Sequence, residues 1–332
     1  MVDVPRVSVV MAVRNGAPYL EKALDSILAQ TFTDFEFVII DDGSVDSTPE
    51  VLQRYQAADC RVRVHHQENA GLTPSLNRGC ARARGAYVAR MDADDISFPE
   101  RLKRQVEFLD RHPRVAMVGS AVVRIDELGR EIKRNICPTS HAEIVRALAE
   151  YNCFTHPTVM LRKDLLLAVG GYREAYRLAQ DYDLWLRLAE RSELANLPDP
   201  LLYYRVYAGQ VSFRHLQQQT ISVVGARAAA EERRATGKDP TPAQGHVTPE
   251  LLRDWGVADA TLSKAMVEGY RYMVYLMHQV GRHREAIELL RTGCWQQARI
   301  AFRGGRLWTG IYWGLRTVQA QAQLHLSARV RE

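Results

Sequence analysis

Apolar and polar positions follow two alternating periods over the first hundred residues. "VSVVMAV" (7–13) is an almost unbroken apolar run and predicts a strand covered on both faces. "APYLEKALDSILAQ" follows, with Leu20, Leu24, Ile27 and Leu28 at helical spacing. "FEFVII" (35–40) predicts a second buried strand that stops at "DDGS", and "STPEVLQRY" opens a helix with Ser47 and Glu50 spaced as a capping box. "VRVHH" (62–66) is a third strand, "LTPSLNRGCARARG" a helix up to Gly85, and "AYVARM" (86–91) a fourth strand. Strands and helices alternating at this spacing predict βαβ units in a parallel sheet, with ligands bound beyond the carboxyl ends of its strands.

The pattern changes after residue 97. "SFPERLKRQVEFLDRH" predicts a helix capped by Ser97 and Glu100, "VAMVGSAVVRID" (115–126) a strand, and "SHAEIVRALAE" a helix boxed by Ser140 and Glu143. "HPTVML" (156–161) reads as a strand. "KDLLLAVGGY" reads as a short helix stopped by Gly170–Gly171, and "QDYDLWLRLAER" (180–191) as a helix with acids in its first turn. A first domain is expected over 1–212. The rest, 213–332, carries amphipathic helices, interrupted by the Pro/Gly/Thr-rich linker candidate 236–250.

The length of 332 residues suits one large domain with an appendage, or two domains. A composition of 46% hydrophobic and 25% charged residues is that of a soluble globular protein. The net charge of +5 suits an anionic small molecule or membrane surface without requiring either. Five scattered cysteines form no CxxC pair, no charged start leads into an apolar stretch, and no run reaches the length of a membrane span. The expectation is a cytoplasmic protein with reduced thiols. From Arg291 onward the only acid is Glu332, and Trp295, Trp308, Tyr312 and Trp313 interleave with arginines. That tail reads either as a basic amphipathic surface for an anionic membrane or as a helix packed on protein. No nucleic-acid-reading motif accompanies the charge.

Candidate chemistry gathers at the strand ends. Asp92, Asp94 and Asp95 crowd into four positions after the fourth strand. Such carboxylates can hold Mg²⁺ or Mn²⁺ between themselves and a ligand's phosphates, since both ions favour oxygen ligands. Without a cation they repel one another. The alternative is an acidic surface turn in which Asp95 or Ser97 caps the next helix. Asp41–Asp42–Gly43–Ser44 could accept hydrogen bonds from a nucleobase or ribose, or form an Asx-type turn. Asp181 could act as a general base, with Asp183 its rival, or simply complement a helix N-terminus. His156–Pro157 could line the site or be structural, and Tyr203, Tyr204 and Tyr207 read as packing.

The order of "VSVVMAVRNGAPYLEKALDSILAQTFTDFEFVIIDDGSVDST", "ENAGLTPSLNRG", "GAYVARMDADDISFPERL" and "AQDYDLWLRL" resembles family-2 glycosyltransferases of the GT-A fold, over roughly residues 5 to 212. The resemblance implies an α/β fold: a Rossmann-like, nucleotide-binding mixed sheet flanked by helices, here with a C-terminal helical extension. It implies donor contacts from Asn15, Asp41, Asp42, Asn77, Arg78 and Asp92, with Asp42 the preferred base contact. It implies a Mn²⁺ or Mg²⁺ ion held by Asp94 and Asp92 of a DxD motif, and Asp181 as the general base of an inverting transfer. The implied donor is a nucleotide-diphosphate sugar, a UDP-sugar first. The implied acceptor is a saccharide or lipid-linked saccharide, which would suit peripheral membrane contact through the basic C-terminal helices. Gln180 replaces a commoner Glu, and Tyr207 stands where many relatives carry His. Two rival readings are a sugar nucleotidyltransferase and a non-catalytic sugar-nucleotide-binding module. The first expects a glycine-rich basic loop after the first strand, where "AVRNGAPYL" offers only Arg14 and Gly16. The absence of a GxGxxG after that strand argues against an oxidoreductase.

Overall fold

The computed structural model describes residues 4–207, 210, 215–289 and 291. Two units divide the chain: one runs to Glu174 and resumes over Gln180–Arg205, the other comprises Ala175–Ala179 and the chain from Val206.

The first unit is built on a nine-stranded sheet in the order β3 (Val62–Gln67), β2 (Phe35–Asp42), β1 (Val7–Val13), β4 (Tyr87–Arg90), β8 (Met160–Arg162), β6 (Val115–Ile125), β9 (Glu193–Arg205) and β5 (Ile96–Ser97), with β7 (Glu131–Asn135) paired to β6. Its first half follows the sequence pattern. β1 (Val7–Val13), α1 (Ala17–Leu28), β2 (Phe35–Asp42), α2 (Thr48–Ala58), β3 (Val62–Gln67), α3 (Leu72–Arg82) and β4 (Tyr87–Arg90) alternate as expected, and these four strands are parallel. The apolar runs are continuous because both faces are covered. Val9 and Met11 of β1 share a core with Leu20, Leu24 and Ile27 of α1 and with Phe37 and Ile39 of β2. On the other face α3 lies so close that a Cβ on Gly79 would sit 2.6 Å from Val10 Cγ1. Full burial of each such aliphatic side chain contributes about 1.5–3 kcal/mol.

The second half is mixed. β8 (Met160–Arg162) runs antiparallel to β4, and β6 (Val115–Ile125) antiparallel to β8. β9 (Glu193–Arg205) runs parallel to β6, whereas β5 (Ile96–Ser97) and β7 (Glu131–Asn135) pair antiparallel with β9 and β6. The alternation of strands and helices therefore foretells only the parallel half. β9 contains Pro198 and Pro200, which argue against a strand by composition. The sheet accommodates them with a register shift at the Ala121–Pro200 pairing.

Three local expectations are corrected. Ser47 makes no side-chain cap on α2. Asp46 Oδ1 accepts the Thr48 amide at 3.0 Å instead. Ser97 is a strand residue paired to Leu202, so α4 (Arg101–Arg111) starts later, with Glu100 at its N-cap and no side-chain cap. His156–Thr158 is a 3₁₀ turn, closed by the Thr158 hydroxyl on the Thr155 carbonyl at 2.7 Å, and only Met160–Arg162 is strand. The Ser140–Glu143 capping box of α5 (His141–Leu148) is present, and α6 (Lys163–Ala168) stops before Gly170 and Gly171, both at positive φ. α7 (Gln180–Ala189) begins with the expected acids.

In the second unit α8 (Leu216–Thr236) ends on Gly237 at φ +73°, α9 (Pro249–Asp254) is capped by Thr248, and α10 (Asp259–Gln279) presents Gly269 to Leu216. The Tyr176 hydroxyl meets Thr241 Oγ1 at 2.6 Å, and the Val247 amide donates to the Ala175 carbonyl at 2.9 Å. Among the described residues no helix is long and apolar enough to cross a membrane. The basic aromatic tail beyond Arg291, with its expected membrane contact, lies outside the described residues, as do parts of the "YRVYAGQVS" stretch.

Candidate active site

The strand order reverses beside β1: β2 and β3 lie on one side, β4 on the other. Ligands of open α/β sheets bind at such a switch point, at the carboxyl ends of the strands. Here that place is flanked by the Arg14–Asn15–Gly16 loop after β1 and the Asp92–Asp95 turn after β4. The two touch: a Cβ on Gly16 would lie 3.4 Å from Ala93 Cβ.

The loops after β1, β2 and β3 are tied to one another. Asn15, at φ +53°, donates its amide to Ser44 Oγ at 2.9 Å and accepts the Val45 amide on Oδ1 at 2.9 Å. The Gly16 and Ala17 amides at the start of α1 donate to Thr48 Oγ1 and Asp46 Oδ2. Asp41 accepts the Ser44 amide at 3.1 Å and faces His66 Nδ1 at 2.9 Å. Asp42 accepts from Gln67 Nε2 at 2.7 Å, the Ala70 amide at 2.8 Å and the Gly71 amide at 2.9 Å. With the Asn69 amide in its hydrogen-bonding orientation, a fourth donor stands at 3.0 Å. A carboxylate offers about four acceptor positions, so Asp42 is fully engaged in shaping the loop before α3. Arg78 donates to Gln67, which links it to Asp42. Asn77 grips the Tyr172 backbone at both ends of its amide, at 2.8 and 3.0 Å.

The turn after β4 is built differently. Carboxylate oxygens of Asp92, Asp94 and Asp95 lie within 4.8 Å of one another. Asp95 is buried. Its Oδ1 accepts the Arg205 amide at 2.8 Å, while its Oδ2 has no hydrogen-bond partner among the described residues. Burial, with Asp94 and Asp92 nearby, pushes its pKa well above the usual carboxylate range. Three hard oxygen donors with one orphaned buried oxygen fit a divalent cation. Arginines hold the turn from below. Arg205 Nε donates to the Asp94 carbonyl at 2.8 Å, and its guanidinium covers Tyr19 of α1. Arg101, wholly buried, donates to the Arg90 carbonyl at 2.6 Å, and burial together with Arg90 lowers its pKa to about 9. Arg90 ion-pairs with Asp92. Burial works against its charge, but Asp92 and Tyr172 outweigh it.

Arg90 also acts on Asp181, which remains partly exposed in the first turn of α7. Burial raises the Asp181 pKa, while the Tyr182 amide, Asn152 and Arg90 draw it back. Tyr172, pushed up by burial, feels both Asp181 and Asp92. Its hydroxyl meets His156 Nε2 at 2.9 Å, and burial with Arg90 keeps His156 well below its ordinary pKa, hence neutral. Asp183, the rival acid, is buried and ion-paired to Arg173 and Arg187, whereas Asp181 keeps partial exposure. The sequence reading did not single out Arg90, Arg101, Arg205, Gln67, Tyr172 or Asn152. The signal available for Arg90 was a charged residue inside an apolar strand.

The family model for glycosyl transferase family 2 matches residues 8–167. The O-antigen biosynthesis glycosyltransferase WbnJ of Escherichia coli is 37% identical over 205 residues, 60% of this chain and 80% of that protein. The amylovoran biosynthesis glycosyltransferase AmsE of Erwinia amylovora is 36% identical over 197 residues, 59% of this chain and 73% of that one. Among solved structures, S. aureus TarS 1-349 in complex with UDP-GlcNAc has a TM-score of 0.57 at 18% identity, covering 95% of this chain and 92% of its own. The mannosyltransferase PcManGT from Pyrobaculum calidifontis, in complex with GDP-Man and Mn²⁺, has a TM-score of 0.51 at 18% identity, covering 96% and 88%. At these identities the structural likeness bears on the fold, which is the GT-A-like mixed sheet flanked by helices.

Proposed function

The chain belongs to glycosyl transferase family 2 and is a glycosyltransferase, and from that premise we propose that it moves a sugar from a nucleotide-diphosphate sugar to an acceptor hydroxyl with inversion, using Asp181 as general base. One observation carries the reading: Arg90 and Tyr172 bear on both the Asp92–Asp95 turn and Asp181, so the phosphate-side acids and the base share one neighbourhood.

Asp92 and Asp94, with Asp95 beside them, would hold Mn²⁺ or Mg²⁺. Such an ion supplies Lewis-acid neutralisation of the charge that develops on a departing diphosphate. Asp41, Asn15 and Arg78 are proposed donor contacts. Asp42 and Asn77 would act on the donor by holding the loops that carry such contacts, given what their side chains already bind. Asp181 takes the proton of the acceptor hydroxyl as that oxygen bonds to the anomeric carbon. The bond from that carbon to the diphosphate oxygen breaks with its electron pair, and nucleoside diphosphate leaves. The partial burial that raises the Asp181 pKa makes it a stronger base than a free aspartate. UDP-sugars are proposed first as donors, with GDP-sugars second, since the structures of similar fold hold UDP-GlcNAc and GDP-Man. The proposed acceptor is a saccharide, free or lipid-linked.

The test is a thermal-shift screen of UDP- and GDP-sugars with and without Mn²⁺, followed by nucleoside diphosphate release with the best donor. Asp181→Asn should keep donor binding and lose transfer by about 10²–10⁴-fold. Full transfer in that variant would remove the assignment.

A further inference from the structure

Asn152 stands in the loop between α5 and the 3₁₀ turn, and its amide is oriented at both ends. Oδ1 accepts the Phe154 amide at 3.2 Å, which leaves Nδ2 to donate to Asp181 Oδ2 at 2.9 Å. The Oδ1 contact settles which end of the amide faces Asp181. The loop is itself fastened to the helix that carries Asp181. The Tyr182 hydroxyl donates to the Leu148 carbonyl, and the Phe154 ring tilts against Trp185 at 5.9 Å between centroids. Tyr182 and Trp185 are wholly buried. The amide therefore sits on a fixed support and can orient the carboxylate rather than follow it. Among the described residues no side chain donates to Asp181 Oδ1.

We propose that Asn152 is a positioning residue: it holds the Asp181 carboxylate by Oδ2, so that Oδ1 is the oxygen that receives the acceptor proton. This rests on Asp181 being the general base. Two consequences oppose each other. A donor on the carboxylate stabilises its charged form and lowers its basicity, which slows proton transfer. The same donor selects one carboxylate orientation, and a misplaced base loses rate steeply. The geometry favours orientation as the larger effect, because the amide is fixed on both sides. The other groups that act on Asp181 are Arg90 from β4, Tyr172 from the loop before α7, whose hydroxyl meets His156, and the Tyr182 backbone amide. On its own helix, Asp183 is already paired with Arg173 and Arg187.

Asn152→Ala and Asn152→Ser separate the contributions in the full chain. The serine hydroxyl can still accept the Phe154 amide as an ST-type turn but is too short to reach Asp181. Nucleoside diphosphate release from UDP-GlcNAc and from GDP-mannose, with Mn²⁺, is followed across pH. Both variants should lower plateau kcat roughly 10- to 100-fold with donor KM unchanged. The acid limb should move to higher pH, and the serine variant should keep the wild-type unfolding temperature. Plateau kcat at or above wild type in the serine variant overturns the proposal, as does an unmoved acid limb. A parallel Asp181→Asn assay distinguishes two failures. If that variant keeps full activity, the reading of Asp181 fails and this inference with it. If Asp181→Asn is inactive while Asn152→Ser is normal, only the role of Asn152 is refuted.

Discussion

The ends of β2 and β4 both carry adjacent carboxylates, yet the chain treats them in opposite ways. After β2, four donors converge on Asp42, and Asp41 has its own partners in Ser44 and His66. Asp42 is completed from within and shapes the loop before α3, whereas Asp41, with two partners, keeps acceptor positions for a ligand. After β4, three carboxylates crowd within 4.8 Å, and one buried oxygen stays unsatisfied among the described residues. Internal donors make a carboxylate structural. A cluster short of donors keeps its capacity for a cation and its ligand, at a cost in stability that the arginines beneath it only partly offset.

Substitutions on the two sides should separate along this line. The largest effect is expected from Asp94→Ala, which should abolish Mn²⁺-dependent binding of a nucleotide sugar in calorimetric titration while leaving the unfolding temperature of the metal-free protein near wild type. Asp42→Ala should do the reverse in kind. It strands the Ala70 and Gly71 amides and should destabilise the fold by about 2–4 kcal/mol in urea unfolding. If Asp42→Ala unfolds like wild type, the distinction between the two strand ends collapses. Asp95→Asn should raise the unfolding temperature without metal, by up to about 1 kcal/mol equivalent, and shrink the further rise on adding Mn²⁺. The smallest effect is in the pH profile. Burial raises the Asp181 pKa, and a general base at this position would work only when ionised. Activity should therefore fall on acidification at a pH above that of an ordinary aspartate. A limb at the ordinary carboxylate position would show that Arg90 and Asn152 cancel the burial completely.

Much of the parallel half could be read in advance because its strands are covered on both faces, and continuous apolar runs such as Val7–Val13 leave a plain trace. β9 left none. Its 13 residues include two prolines, and its strand character comes from pairing with β6, 70 or more positions away in the chain. The Asp92–Asp94 and Asp41–Asp42 clusters were visible as types and spacings. Their different fates were not, since these depend on amides from Ala70, Gly71 and Arg205 that only folding brings near. The unlike surroundings of Asp181 and Asp183 illustrate the same limit. Two acids in one helical turn look equivalent until Arg173 and Arg187 close on the second.

Local order in the parallel half, then, was written into the chain's own periodicity: which of its segments become helices or strands, and which acids stand at their ends. Those properties depend on neighbours a few positions apart. Which carboxylates are satisfied and which remain open was settled by the tertiary contacts around each. Desolvation and hydrogen bonding depend on distance in space, and distance along the chain does not report it.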